Sequence, residues 1–101
     1  MDRRIELHDI LSGIEGVKKA YFQPPESVKL EYPCIIYHLQ TVYMQSADDY
    51  PYKNRDGYSV MIIDRNPDSK IRFTLESMQL CRFERFFTSS GLNHWVYQLY
   101  Y

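Results

Sequence analysis

Few residues in this chain are of types that do chemistry. Three histidines (His8, His38, His94) and two cysteines (Cys34, Cys81) are the candidate ligands and nucleophiles. Structural zinc sites take cysteines and histidines in pairs a few residues apart. No two of the histidines stand that close, and neither do the two cysteines. No metal site is expected, and no cofactor. A thiol nucleophile needs a base and an oxyanion donor held beside it, and nothing local arranges either around Cys34 or Cys81. The adjacent carboxylates Asp48 and Asp49 lie in a polar stretch, where such a pair serves to solvate a loop. Acid–base work would need two carboxyls with opposed pKa values. There is no phosphate loop, dinucleotide glycine fingerprint or nucleophile elbow. No catalytic residue is therefore assigned, and the chain is not expected to be an enzyme.

One further pattern could bind. Arg82-Phe83-Glu84-Arg85-Phe86-Phe87 interleaves arginine with aromatic rings, a combination that can stack bases on a sheet. Nucleic-acid affinity, however, comes largely from a net basic face that releases counterions. The formal net charge here is −1. Residues 1–50 carry five Lys/Arg against eight Asp/Glu, and residues 51–101 carry seven against five. The basic bias of the second half is weak, so this segment is expected to be an amphipathic strand with one ion-paired face.

The elements that must position these residues fit one domain, since 101 residues can bury a single modest core. Apolar residues make up 45% and aromatic residues 16%, which argues against disorder. Ten of those aromatics are tyrosines, whose apolar ring and polar tip suit half-wet surfaces and interfaces. The first ten residues are charged where an export leader would be apolar. No apolar run approaches the length of a membrane helix. Two reduced thiols in a cytosolic, soluble protein are the expectation, with no membrane partner.

From about Asp2 to Gly16, Leu7, Ile10, Leu11 and Ile14 recur at helical spacing and are expected to share one face. Tyr21 to Pro25 reads as a short edge strand entering a rigid turn, because proline donates no ladder hydrogen bond. A long strand follows Pro33, from Cys34 to about Met44, with Ile35, Tyr37 and Leu39 on one face and Cys34, Ile36 and His38 on the other. Gln45 to Gly57 is a polar loop containing Tyr50 and Tyr52, long enough to suggest function. Tyr58 to Asp64 is a strand. Asn66-Pro67-Asp68 predicts a helix start, with Asn as cap and Pro in the first turn, and Ile71, Leu75 and Met78 carry that helix to about Leu80. Arg82–Thr88 and Asn93–Tyr101 form a terminal hairpin around Ser89-Ser90-Gly91. The order α-β-β-β-α-β-β, without repeated βαβ units, predicts an α+β fold: a mostly antiparallel sheet with two helices packed on it.

Several phrases are more specific. They are Tyr21-Phe22-Gln23-Pro24-Pro25-Glu26-Ser27, Tyr32-Pro33-Cys34-Ile35-Ile36-Tyr37, Ile63-Asp64-Arg65-Asn66-Pro67-Asp68-Ser69, Cys81-Arg82-Phe83-Glu84-Arg85, and Leu92-Asn93-His94 through Leu99-Tyr100-Tyr101. In this order they resemble the tail terminator, or tail completion, proteins of long-tailed bacteriophages and prophages. The resemblance covers about residues 20–101; the N-terminal helix matches in type only. It implies a compact domain with a sheet flanked by helices, and a hexameric ring that caps the finished tail tube in the virion neck. It also implies a protein made in the bacterial cytoplasm, monomeric until it meets the tail. Its partners would be itself, the tail tube protein and the head–tail connector, with DNA only in passage. The hairpin tip, Thr88-Ser89-Ser90-Gly91, departs from the acidic turn associated with the family.

A ring of this kind needs contact elements, and the candidates are Pro24, Pro25, Tyr50, Tyr52, Lys53 and Arg55, in rigid or long loops. Lys70, Arg72, Arg82 and Arg85 are candidate basic residues for a lumen that passes DNA. The alternatives are a head-side neck protein, a small nucleic-acid-binding sheet domain and, last, a thiol enzyme.

Overall fold

The computed structural model describes residues 3–44 and 54–101. Its elements follow the order α1 (Arg3–Ser12), β1 (Lys19–Phe22), β2 (Cys34–Thr41), β3 (Gly57–Asp64), α2 (Ile71–Glu76), β4 (Cys81–Ser89) and β5 (Leu92–Tyr100). The strands form one sheet in the order β1-β2-β3-β5-β4. Every pairing is antiparallel except β1 with β2. The fold is α+β, with the predicted element order.

Alternation along the central strands sorts side chains into two layers. On one face Ile35, Tyr37, Tyr58, Val60, Ile62, Trp95, Tyr97 and Leu99 meet Leu7 and Leu11 of α1 and Ile71 and Leu75 of α2. Both helices thus lie on the same side. On the other face Tyr21, Cys34, Ile36 and Ile63 form a smaller cluster, under Leu30 and Tyr32. The parallel β1–β2 pair explains this second cover. A parallel connection must cross back over the sheet, and residues 23–33 make that crossing, laying Leu30 and Tyr32 over the first three strands. Tyr21 Oη accepts a hydrogen bond from the Glu31 amide at 3.0 Å, which pins the crossing segment.

Several boundaries differ from those read in the sequence. Ile10 is 41% exposed, because the short α1 touches the sheet along the Leu7–Leu11 line and leaves Ile10 on its flank. Ile14 is buried, though the helix ends before it. Strand β2 stops at Thr41, short of Met44. Leu39 is exposed because β1 ends opposite Tyr37 and leaves that stretch of β2 at an open edge. The second helix begins at Ile71, later than predicted, and ends at Glu76, earlier than predicted. Asn66 does cap, but it closes a separate turn: its Oδ1 accepts from the Asp68 amide at 2.9 Å and its carbonyl from the Ser69 amide. At the other end Leu80 takes a positive φ of 60°, outside the helical region. Of the predicted Gln45–Gly57 loop, residues 45–53 lie outside the described residues, and Gly57 belongs to β3.

The terminal hairpin turns on Ser90 (φ 53°) and Gly91 (φ 76°). Two consecutive positive φ values are the mark of the tight turn whose twist matches antiparallel strands. Leu75 is the fully buried residue of α2. Replacing Leu75 with Ala is expected to cost about 2–5 kcal/mol of unfolding free energy, measured by urea denaturation of purified protein. A loss within a few tenths of a kcal/mol would mean that α2 is not packed as described.

Candidate protein interface

Strand β4 differs from its neighbours. Strands β3 and β5 are buried along most of their length, whereas β4 is exposed along most of its own. It is the last strand of the sheet, paired only with β5. Of the two helices, α2 is the one with substantial contact to it.

Its side chains are arranged by an irregularity. Phe83 pairs with Tyr97 and Arg85 with Val96, so Glu84 is an extra residue in the strand. Such a bulge bends the strand and resets its alternation. Phe83 and Phe86, three apart, would point to opposite faces of a regular strand. Past the bulge Phe86 pairs with Trp95, so both phenylalanines share the helix side. Phe83 packs edge-on against Tyr97, with ring centroids 5.5 Å apart, and Phe86 lies 5.3 Å from Trp95. Phe83 and Phe86 remain 51% and 47% exposed, while Trp95 beneath them is 6% exposed.

These rings face α2 across a groove of about 500 Å³, lined by Pro67, Arg72, Glu76, Phe83, Phe86 and Trp95. The polar wall is locked. Arg72 donates to both Glu76 carboxylate oxygens, at 3.0 and 3.3 Å, and the Tyr97 hydroxyl donates to Glu76. Burial, then the Glu76 hydrogen bond, holds the Tyr97 hydroxyl well above its ordinary pKa, so it stays a donor. The Arg72 guanidinium also lies 4.4 Å from the Phe73 ring centroid, a cation–π contact on the solvent side of α2.

A larger depression, about 570 Å³, lies between the end of α1 and the start of α2. Within its lining Asp64 accepts from the Asn66 amide, and Ser69 lies 3.4 Å from the Ile71 amide. Among the described residues no three His, Cys, Asp or Glu gather into a metal-binding group. His8 Nδ1 faces the Tyr37 hydroxyl at 2.7 Å, and His94 stacks on Phe87 with centroids 4.5 Å apart. Burial pushes the Cys34 and Cys81 thiols up from 9.0 to about 11, so both stay protonated and weakly nucleophilic at neutral pH.

The residues predicted from sequence are dispersed. Pro24 and Pro25 sit beyond β1, on the opposite side of the sheet from β4. Arg55 is half-buried; Tyr50, Tyr52 and Lys53 lie outside the described residues. The four proposed lumen residues do not make one patch. Lys70 and Arg72 belong to the α2 layer, whereas Arg82 and Arg85 pair with Gln98 and Val96 on the face away from the helices. The predicted ion-paired face of β4 amounts to Arg85 and Glu84 at 3.9 Å, both largely exposed. Comparison with known protein families, curated proteins and solved structures gives no match.

The sequence reading missed the Phe83–Phe86–Trp95 groove. A phenylalanine pair spaced by three within a strand was the available signal, and it has meaning only once the bulge is known.

Two outcomes test this description. Replacing Phe83 and Phe86 with Ser should each cost about 1 kcal/mol or less, far below a core truncation, because half of each ring is already in water. The thiols give a pH signature. The folded state holds their protons more tightly than the unfolded chain, so stability is full below pH 9 and falls as pH rises from about 9 to about 11. Urea midpoints across that range should drop, and drop less in Cys34→Ala.

Proposed function

We propose that this chain is an assembly protein that closes into a ring by head-to-tail contacts between copies. The ring caps a phage tail tube, ends its growth and joins it to the head connector. The single observation that carries the assembly reading is the β4 edge, where paired phenylalanines over a buried tryptophan face an open groove. Exposed aromatic clusters of this kind are typical of protein–protein contacts. The tail-specific part rests on the resemblance in sequence, and the α+β sheet with helices packed on it agrees with what that resemblance implies.

The physics of termination follows from the contact type. A surface on one subunit that binds a different surface on the next makes a ring when the rotation closes, and a filament when it does not. A closed ring has no free side-to-side edge, and its two faces differ. One face matches the tube end; the other meets the connector and offers no site for more tube protein. In this reading the protein sits in the virion neck, and DNA touches it only in passage.

The test is electron microscopy of a lysate from the parent phage with this gene disrupted. Tail tubes of uncontrolled length are expected. Normal tails lying apart from filled heads would move the protein to the head side of the joint, and intact infectious particles would overturn both. In addition, Tyr50→Ala with Tyr52→Ala is expected to weaken ring assembly on the tube, read by sedimentation, with an unchanged urea midpoint for the monomer.

A further inference from the structure

Strand β4 is an open edge with a defect at its middle. It is paired on one side, with β5, so among the described residues its outward amides and carbonyls have no strand partner. Such an edge takes up a strand from elsewhere unless something prevents it. Here the Glu84 bulge does. One extra residue shifts the alternation, so a regular strand laid along β4 is out of face register on one side of the bulge or the other. One strand is exempt. A second β4, running antiparallel across a two-fold axis, carries the same bulge. With the axis between Glu84 and Arg85, two residues of one copy stand against two of the other, and the register holds on both sides.

We infer that two copies of this chain pair β4 to β4 in antiparallel about that axis, joining their sheets into one. The faces agree outward from the axis. Phe83 meets Phe86 of the second copy, and both lie on the helix side, across from Tyr97 and Trp95. Arg82 meets Phe87, both on the other face, across from Gln98 and His94. Cys81 meets Thr88, both on the helix side again, across from Leu99 and Asn93. Without the bulge each pair would put its two members on opposite faces. The chemistry agrees too. A two-fold contact requires that residue i meet j and j meet i. Glu84 meets Arg85 of the second copy on both sides of the axis, and the half-exposed Phe83 and Phe86 meet as cross-strand aromatic pairs. Within one chain Glu84 and Arg85 lie 3.9 Å apart with side chains 43% and 64% exposed, a contact too weak to hold either in place. The inference does not rest on the ring reading, because a two-fold contact closes after two copies and makes no ring. Both contacts use β4, so in the ring reading the pair is the form of the free protein and opens before a ring closes. The family resemblance implies a monomer off the tail; the β4 edge points to this pair instead.

Charge reversal tests the pair, read by sedimentation of the purified full chain over a concentration series reaching the millimolar range. Glu84→Arg leaves only arginines at the axis, and Arg85→Glu only glutamates. Both positions are exposed, so each variant should fold with a urea midpoint close to that of the parent chain. The parent chain should dimerise. Each variant alone should dimerise about tenfold more weakly or worse, because like charges then stand opposite each other. An equimolar mixture of the two should regain dimers, since each chain again meets its opposite. A parent chain that stays monomeric, a single variant that pairs like the parent, or a mixture no better than its components would overturn the inference. The register has its own check. Thr88→Cys sets a thiol opposite Cys81 of the second copy, so mild oxidation should trap dimers in Thr88→Cys and not in Thr88→Cys with Cys81→Ala. Equal trapping in both would overturn the axis between Glu84 and Arg85.

Discussion

The structure depends on one constraint: a five-stranded sheet has two faces and two edges to protect, and this chain has few residues with which to cover them. The two helices take one face. The parallel pairing of β1 with β2 forces a crossing segment over the other, which shelters only the half nearest β1. Among the described residues, β4 is left exposed along most of its length. The exposed aromatics, the groove and the unlike edges follow from that shortage of cover. A sheet edge of this kind is a liability unless it is blunted or used. The bulge at Glu84 blunts it as a strand, and the phenylalanines it gathers are available as a binding surface.

The groove is also stiff. Glu76 accepts from Arg72 and from the buried Tyr97 hydroxyl, which ties the short α2 to the core strand β5. Trp95 forms the floor, packed into the main core on its other side. At the other edge of the sheet, the Gln23 amide donates to β2 and the Val28 amide closes the Pro25–Val28 turn. Rigid surfaces lower the ordering cost of any association they enter.

Much of the architecture was legible in the sequence. Alternation in Tyr58–Asp64 and Asn93–Tyr101, the Ser-Gly turn and the apolar spacing of Leu7 and Leu11 are local signals, and they placed the strands, the hairpin and the first helix. Helix α2 was misplaced because Asn66-Pro67-Asp68 has the chemistry of a helix cap and of an isolated turn alike; the buried Ser69 and Ile71 decide between them through tertiary packing. Periodicity places Ile10 and Leu39 on the same faces as buried neighbours, but it cannot register where a short helix or a short strand ends. The candidate interface was the least legible part. The Phe83–Phe86–Trp95 groove depends on a bulge, and a bulge leaves almost no mark in a single sequence.

The most direct measurement is cryo-electron microscopy of the head–tail joint of the parent phage. A closed ring of this chain at the end of the tail tube, with the β4 groove of each subunit covered by its neighbour, is the predicted result. A neck without this chain, or subunits whose β4 grooves face solvent around the ring, would contradict the account.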